Sequence, residues 1–410
     1  MKVPQLLSPP RQHIKGFLLE HNSGLKIMLN AHQLGSRVAI VAAWIVGAAS
    51  PTYAGQDHQS NTAVVSNTAG ARLSVDANGT IHLPPMDIPL SNLLSPSARA
   101  GLTQYFNFLT TPASNALGGA SKADPEANRK ALNEYMRPAL ERDRELYPTD
   151  QTPVTIAGVK ADVFTPKTGV DPRNRNRVLI ELHGGGFSEG AGTISALESI
   201  PVANLGGIKV IALDYRQGPE HKFPAASQDV VAVYRELLKT IKPRNVGIYG
   251  CSSGGLLTAE AVAWIEKEGL PAPGAIGIFC AGAGGVGDGD SGYLGTALIG
   301  WRILSPDKLS HSNWSYFEGA DLSDPLVSPI RSRAVLAKFP PTLVITSTRD
   351  NAESSAVYTH AQLVKLGVDA ELHVWEGQPH GFFTSDPDFP ESKEAWDVVV
   401  RFFDKHLGTN

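Results

Sequence analysis

The chain has 410 residues, 42% of them hydrophobic and 19% charged, with a net charge of −4. That length holds one large α/β domain with additions, or two ordinary domains, and the composition excludes a disordered chain and a multi-span membrane protein. A slightly acidic chain offers no electrostatic footprint for a polyanion, so nucleic acid is discounted as a partner.

The N-terminal region differs from the rest. Residues 38–49, VAIVAAWIVGAA, are apolar, follow Arg37 and lead into small residues that end at Ala54. A run this short cannot span a bilayer, so no stable membrane span is expected, and residues 1–54 read as an export signal. On this reading export starts from Met28, cleavage follows Ala54, and the mature protein is periplasmic or secreted. A buried N-terminal helix in a cytoplasmic protein is the alternative. Residues 55–90 are polar, small and aperiodic and read as a flexible leader. Residues 91–150 read as N-terminal cap helices, with Asp124 as an N-cap ahead of Pro125 in the first turn.

From about residue 153 the texture changes. The runs VTIAG, KADVFTP, RVLIELHGGG, KVIALDYR, NVGIYG, AIGIFCAG, TLVITSTRD and ELHVWEG alternate with amphipathic stretches such as AASQDVVAVYRELLKTI. Near-continuous Val, Ile and Leu strands separated by helices describe an α/β fold with a mostly parallel sheet covered on both faces. Residues 283–335 interrupt the alternation and are too long for a simple crossover. They read as a cap insertion between a first core part, 151–282, and a second, 336–410. No internal repeat is visible.

In such sheets ligands gather outside the carboxyl ends of the strands. Four polar stretches stand there. Gly250-Cys251-Ser252-Ser253-Gly254 is a G-x-S-x-G pattern between a strand and a helix, the context in which a serine is held exposed on a strained turn. Taken alone, a plain Gly-Ser turn is an equal reading. His183-Gly184-Gly185-Gly186-Phe187 follows another strand, and three residues without β-carbons let backbone N–H groups approach a ligand oxygen. With the N–H of Ser253 at a helix start, they offer an oxyanion hole. Asp350 and His380 each follow a further strand. A serine hydroxyl needs a base within reach, and the base needs a partner that fixes its tautomer. Ser252, Asp350 and His380 occur in the chain order of an α/β-hydrolase triad.

These residues resemble the bacterial hormone-sensitive-lipase-like esterases of the α/β-hydrolase superfamily. HGGGF matches that family's signature, YGCSSGG its nucleophile region, and DYRQGPEHKFPAASQDV its DYRLAPEHPFPAALED segment. The stretch from Arg349 to Phe382 is similar to its acid-to-histidine segment, so the likeness covers about residues 150–406. It implies an α/β-hydrolase fold with an eight-stranded sheet and a helical cap, and a carboxylesterase acting on a small-molecule ester. Ser252 becomes the nucleophile, His380 the base and Asp350 the orienting acid. Gly185, Gly186 and Ser253 become oxyanion donors, while His183 and Asp214-Tyr215-Arg216 support the glycine loop. No metal and no organic cofactor is implied. A homodimer stays open.

Cys251 and Ser253 depart from the Asp and Ala usual beside the nucleophile, and DNAE departs from the usual DPLRDE, which leaves subfamily and substrate preference open. Glu353, one helical turn from Asp350, is a minor competitor for the acid role. The two cysteines, Cys251 and Cys280, end strands that neighbour each other in this fold; two buried thiols are preferred to a disulfide. GAGGVG, residues 282–287, formally matches a dinucleotide fingerprint but lacks the helix it requires, and Asp288 and Asp290 lack EF-hand spacing. A lactonase or amidase with the same machinery, and a non-catalytic binding protein of the same fold, are the competing functions. The cap helices, with Tyr293, Trp301, Trp314 and Phe317, are expected to shape the acyl and alcohol pockets, although such aromatics read first as core.

Overall fold

The computed structural model describes residues 73–111, 124–299 and 315–408. It comprises two units, residues 1–84 and 85–410. The expected export signal, with Met28 and Ala54, lies outside the described residues. Among those described, no helix is long and apolar enough to cross a membrane. In the stretch expected to be a flexible leader, Ser74–Val75 pairs antiparallel with Ile81–His82. A turn from Asp76 to Gly79, with Gly79 N donating to Asp76 O at 2.9 Å, joins the two strands. It ends on Gly79 at φ 87°, a conformation that favours glycine.

In the second unit, among the described residues, two α-helices precede the sheet, α1 (Pro96–Leu109) and α2 (Pro125–Leu146). Each begins with proline, whose missing N–H costs nothing at a helix start. The expected cap at Asp124 is present: its carboxylate accepts from Ala127 N at 2.9 Å. The sheet then forms from β1 (Thr149–Ile156), β2 (Val159–Pro166), β3 (Val178–Leu182), β4 (Lys209–Asp214), β5 (Val246–Cys251), β6 (Ala275–Phe279), β7 (Thr342–Arg349) and β8 (Ala370–Pro379). The order is β8-β7-β6-β5-β3-β4-β2-β1, and only β1–β2 and β2–β4 are antiparallel. This is the mostly parallel eight-stranded sheet expected from the sequence.

Alternation along each strand divides the core between two faces. Ile180, Ile248 and Ile276 point to one face, where α4 (Ala225–Leu237) and α5 (Ser253–Lys267) pack through Val230, Val233, Leu256 and Val262. Leu179, Tyr249 and Leu343 point to the other, against α3 (Thr193–Gly206) and the C-terminal α10 (Pro390–His406). Each large apolar side chain buried this way contributes ~1.5–3 kcal/mol. With both faces covered, the polar rim at the strands' carboxyl ends is the place left for chemistry. Among the described residues the remaining α-helices are α6 (Ser291–Leu298), α7 (Arg333–Leu336), α8 (Glu353–Lys365) and α9 (Phe382–Ser385).

Parts of the two segments expected to form a cap pack into the core. The C-terminal half of α2 is core: Leu140 is buried among Phe164, Leu197 and Ile200. Its N-terminal half reaches the rim, where Arg129 Nε donates to Ser188 O at 2.7 Å and its guanidinium grips Glu220 at 2.7 Å. In the 283–335 insertion, Tyr316 stacks on Phe187 with centroids 4.6 Å apart, and Phe317 meets the same ring edge-on at 5.1 Å. Tyr316 is fixed on both polar sides, its carbonyl accepting from Phe223 N at 2.7 Å and its hydroxyl from Ala226 N at 2.8 Å. Phe317 is therefore core, drawn in by the apolar face of Phe187, whereas Tyr293 is exposed. Trp301 and Trp314 lie outside the described residues.

Candidate active site

Between the last residue of β5 and the first of α5 the chain reverses on Ser252, which takes φ 57° and ψ −120°. A side chain there costs of order 1–3 kcal/mol, so surrounding bonds must hold it. They do: Ser252 N donates to Phe279 O at 2.8 Å and Leu256 N to Ser252 O at 3.1 Å. The flanking glycines are sterically required. A β-carbon at Gly250 or at Gly254 would collide with the carbonyl oxygen of Leu182. Ser252 is left partly exposed between buried Cys251 and Ser253.

The glycine loop runs beside it, close enough that a β-carbon on Gly184 would lie 3.6 Å from Ser252 Cβ. Gly185 and Gly186 take φ 113° and 61°, which side-chain-bearing residues avoid. Gly185 O accepts from Ser188 N and Glu189 N, both at 3.1 Å, so the loop curls back on itself. Among the described residues, the amides of Gly185, Gly186 and Ser253 donate to no protein acceptor.

Below the loop, His183 is fully buried, its ring stacked on Tyr215 at 4.3 Å. Nδ1 lies 2.7 Å from Gly184 O, which can only accept, so Nδ1 carries the proton. Burial pushes its pKa down to about 4, and it stays a neutral prop. Tyr215 completes the support by donating from its hydroxyl to His183 O at 2.7 Å. The other members of the expected Asp214-Tyr215-Arg216 group do not join: Asp214 is exposed, and Arg216 pairs with Asp229.

Asp350 follows β7 and is fully buried. Its Oδ1 receives His380 Nδ1–H at 2.6 Å and Ala352 N–H at 2.8 Å, and its Oδ2 receives the Thr346 hydroxyl at 3.0 Å. Burial raises its pKa, but His380 and these donors outweigh that and hold it below the ordinary carboxylate value. For His380, burial lowers the pKa, and the neighbouring Asp350 outweighs it, leaving the imidazole above its usual value. Asp350, and not Glu353, meets the histidine. The backbone N–H next to His380, that of Gly381, donates to Cys280 Sγ at 3.3 Å. The Cys280 thiol also neighbours that of Cys251, the residue before Ser252, at the adjoining ends of β5 and β6.

Both cysteines are free, buried thiols. The Cys251 thiol is pushed well up, first by its bond with Cys280 and then by burial, so it is a packed group and not a thiolate. Cys280, Asp350 and His380 bring polar atoms within 4.8 Å of one another, the one such group among the described residues, and there Asp350 and His380 already bond each other. No helix opens at GAGGVG, the stretch set aside as a dinucleotide fingerprint: α6 begins only at Ser291.

Sequence reasoning missed Glu198. This buried α3 carboxyl accepts from Gly184 N and from Cys251 N, both at 3.1 Å. Beside it is Glu181 of β3, also fully buried, with the Ser195 hydroxyl donating to it at 3.2 Å. The available signal was an acid inside each of two apolar runs, VLIEL and SALESIPVA.

Comparison with known proteins places the fold. The sequence profile of a family described as alpha/beta hydrolase fold matches residues 179–384. An acetyl-hydrolase of Streptomyces hygroscopicus is 28% identical over 250 residues, covering 61% of this chain and 81% of that protein. The crystal structure of esterase E25 is 29% identical, with a TM-score of 0.69 over 80% of this chain and 98% of its own. An esterase from the bacterial hormone-sensitive lipase family, at 24% identity, shares the fold with a TM-score of 0.65 over 77% of this chain and 99% of its own.

Proposed function

The chain belongs to the α/β-hydrolase fold family, and from that premise we propose that it is a serine carboxylesterase that cleaves small to medium esters through an acyl-enzyme. The observation that carries this reading is the 2.6 Å bond from His380 to buried Asp350, set at the rim where Ser252 stands on its strained turn. The bond fixes the proton on Nδ1, so Nε2 carries the lone pair that acts as base. His380 takes the Ser252 proton as the oxygen attacks the ester carbonyl. The amides of Gly185, Gly186 and Ser253 then receive the oxyanion, and losing one such donor costs ~3 kcal/mol. His380 returns the proton to the departing alcohol, and water repeats the cycle on the acyl group. Relatives named acetyl-hydrolase and ethyl acetate hydrolase support short acyl groups as substrates.

The test is hydrolysis of p-nitrophenyl acetate together with labelling by a fluorophosphonate. Wild type should turn over and take the label on Ser252, whereas Ser252→Ala should lose ~10⁵-fold or more in kcat and take none. A Ser252→Ala variant as active as wild type overturns the assignment. Export is the accompanying proposal, supported by the apolar stretch 38–49, and intact residues 30–50 on the mature protein would refute it.

A further inference from the structure

Two carboxyl groups lie fully buried directly behind the glycine loop, and the triad chemistry uses neither. Glu198 touches the site's two halves at equivalent points. Its Oε1 accepts from the amide of Gly184, the residue before the first oxyanion glycine, and its Oε2 from the amide of Cys251, the residue before the serine. The contacts cross 14 and 53 positions of sequence, so no local turn substitutes for them.

Both oxygens of Glu198 face backbone N–H donors, so its carboxyl serves both segments as an acceptor. Its buried neighbour Glu181 accepts the Ser195 hydroxyl on Oε2 and meets neither amide.

We propose that Glu198 is a positioning residue that pins the oxyanion loop to the nucleophile strand. The proposal rests on the esterase reading. It predicts an asymmetry between two chemically identical side chains. Gln at 198 presents an NH₂ to an amide N–H, so one of the two clamps opens. Gln at 181 keeps an acceptor for Ser195 and leaves both clamps closed.

The experiment measures kcat and KM for p-nitrophenyl acetate, the rate of fluorophosphonate labelling, and thermal melting, all on the full chain at neutral pH. Glu198→Gln should lose about 10- to 100-fold in kcat and in labelling rate with KM changed by about twofold or less, since an oxyanion donor is displaced without the substrate pocket changing. Glu181→Gln, which touches neither clamp, should stay within about threefold of wild type. A folded Glu198→Gln enzyme with wild-type kcat overturns the proposal, as does a Glu181→Gln enzyme that loses as much as Glu198→Gln. If Glu198→Gln does not fold, Glu198→Asp decides: its carboxylate is one methylene too short to reach both amides, so kcat should fall with KM held, and wild-type kcat overturns the proposal. A wild-type enzyme that neither hydrolyses the ester nor takes the label counts against the esterase reading instead.

Discussion

Replacing Asp350 with Asn separates two tasks of the carboxylate, its charge and its orientation of the ring. In the wild-type site Oδ1 serves both His380 and the backbone N–H of Ala352, and Oδ2 serves only the Thr346 hydroxyl. An amide has one oxygen to place. The Ala352 N–H can only donate, while the Thr346 hydroxyl can turn and accept. The oxygen therefore stays at the Oδ1 position, the NH₂ turns to Thr346, and His380 keeps its proton on Nδ1. What is lost is the charge that stabilises the imidazolium. At ~4 Å with an effective dielectric constant of about 20 that is roughly 4 kcal/mol, or ~10³ in kcat/KM.

The pH profile of the same variant gives the sharper readout. The base works when neutral, and Asp350 holds the His380 pKa above its ordinary value, so wild-type activity falls as pH drops through that raised value. With the charge gone, burial alone remains and lowers the pKa, so the acidic limb moves to lower pH. Initial rates with p-nitrophenyl acetate across the acid range measure both effects. An acidic limb that stays in place or moves up refutes the reasoning. A loss of ~10⁴ or more does so too, because it marks an imidazole trapped as the wrong tautomer.

Two further outcomes test the scaffold. Gly254→Ala pushes a β-carbon into the Leu182 carbonyl, a backbone atom that cannot swing aside, and should lower the melting temperature by roughly 4–10 °C with loss of activity. Unchanged melting and turnover would mean that the turn tolerates the methyl group. Asp143, buried in α2, has its pKa pushed up to about 8, by burial first and by Asp388 second. The folded protein then holds a proton that the unfolded chain releases near pH ~4, so this group costs stability increasingly as pH rises from there toward 8. Asp143→Asn removes that penalty and should raise the melting temperature more at about pH 8 than at about pH 5, and an equal change at both would exclude it.

The legible features of the sequence are those in which one residue type answers a local demand. Gly250 and Gly254 flank Ser252 because the turn admits no β-carbon, Asp124 caps α2 because a helix start needs an acceptor, and Val, Ile and Leu runs mark strands buried on both faces. The order of Ser252, Asp350 and His380 was readable because each follows its strand directly. Glu181 and Glu198 were not, since an acid in an apolar run looks the same whether it faces solvent or two amides from elsewhere in the chain. Arg129 is likewise one of several bases on α2 until the fold brings Ser188 O and Glu220 to it. Phe317 could have lined a pocket, and the stack of Phe187 on Tyr316 made it core.

The rim thus combines two kinds of part. Chemically active groups sit where local sequence rules put them, and their alignment depends on polar contacts between distant segments. Burying those polar groups is costly unless each finds its partner, so a chain that folds correctly has brought the loop and the serine into register by the same contacts that satisfy its buried carboxyls.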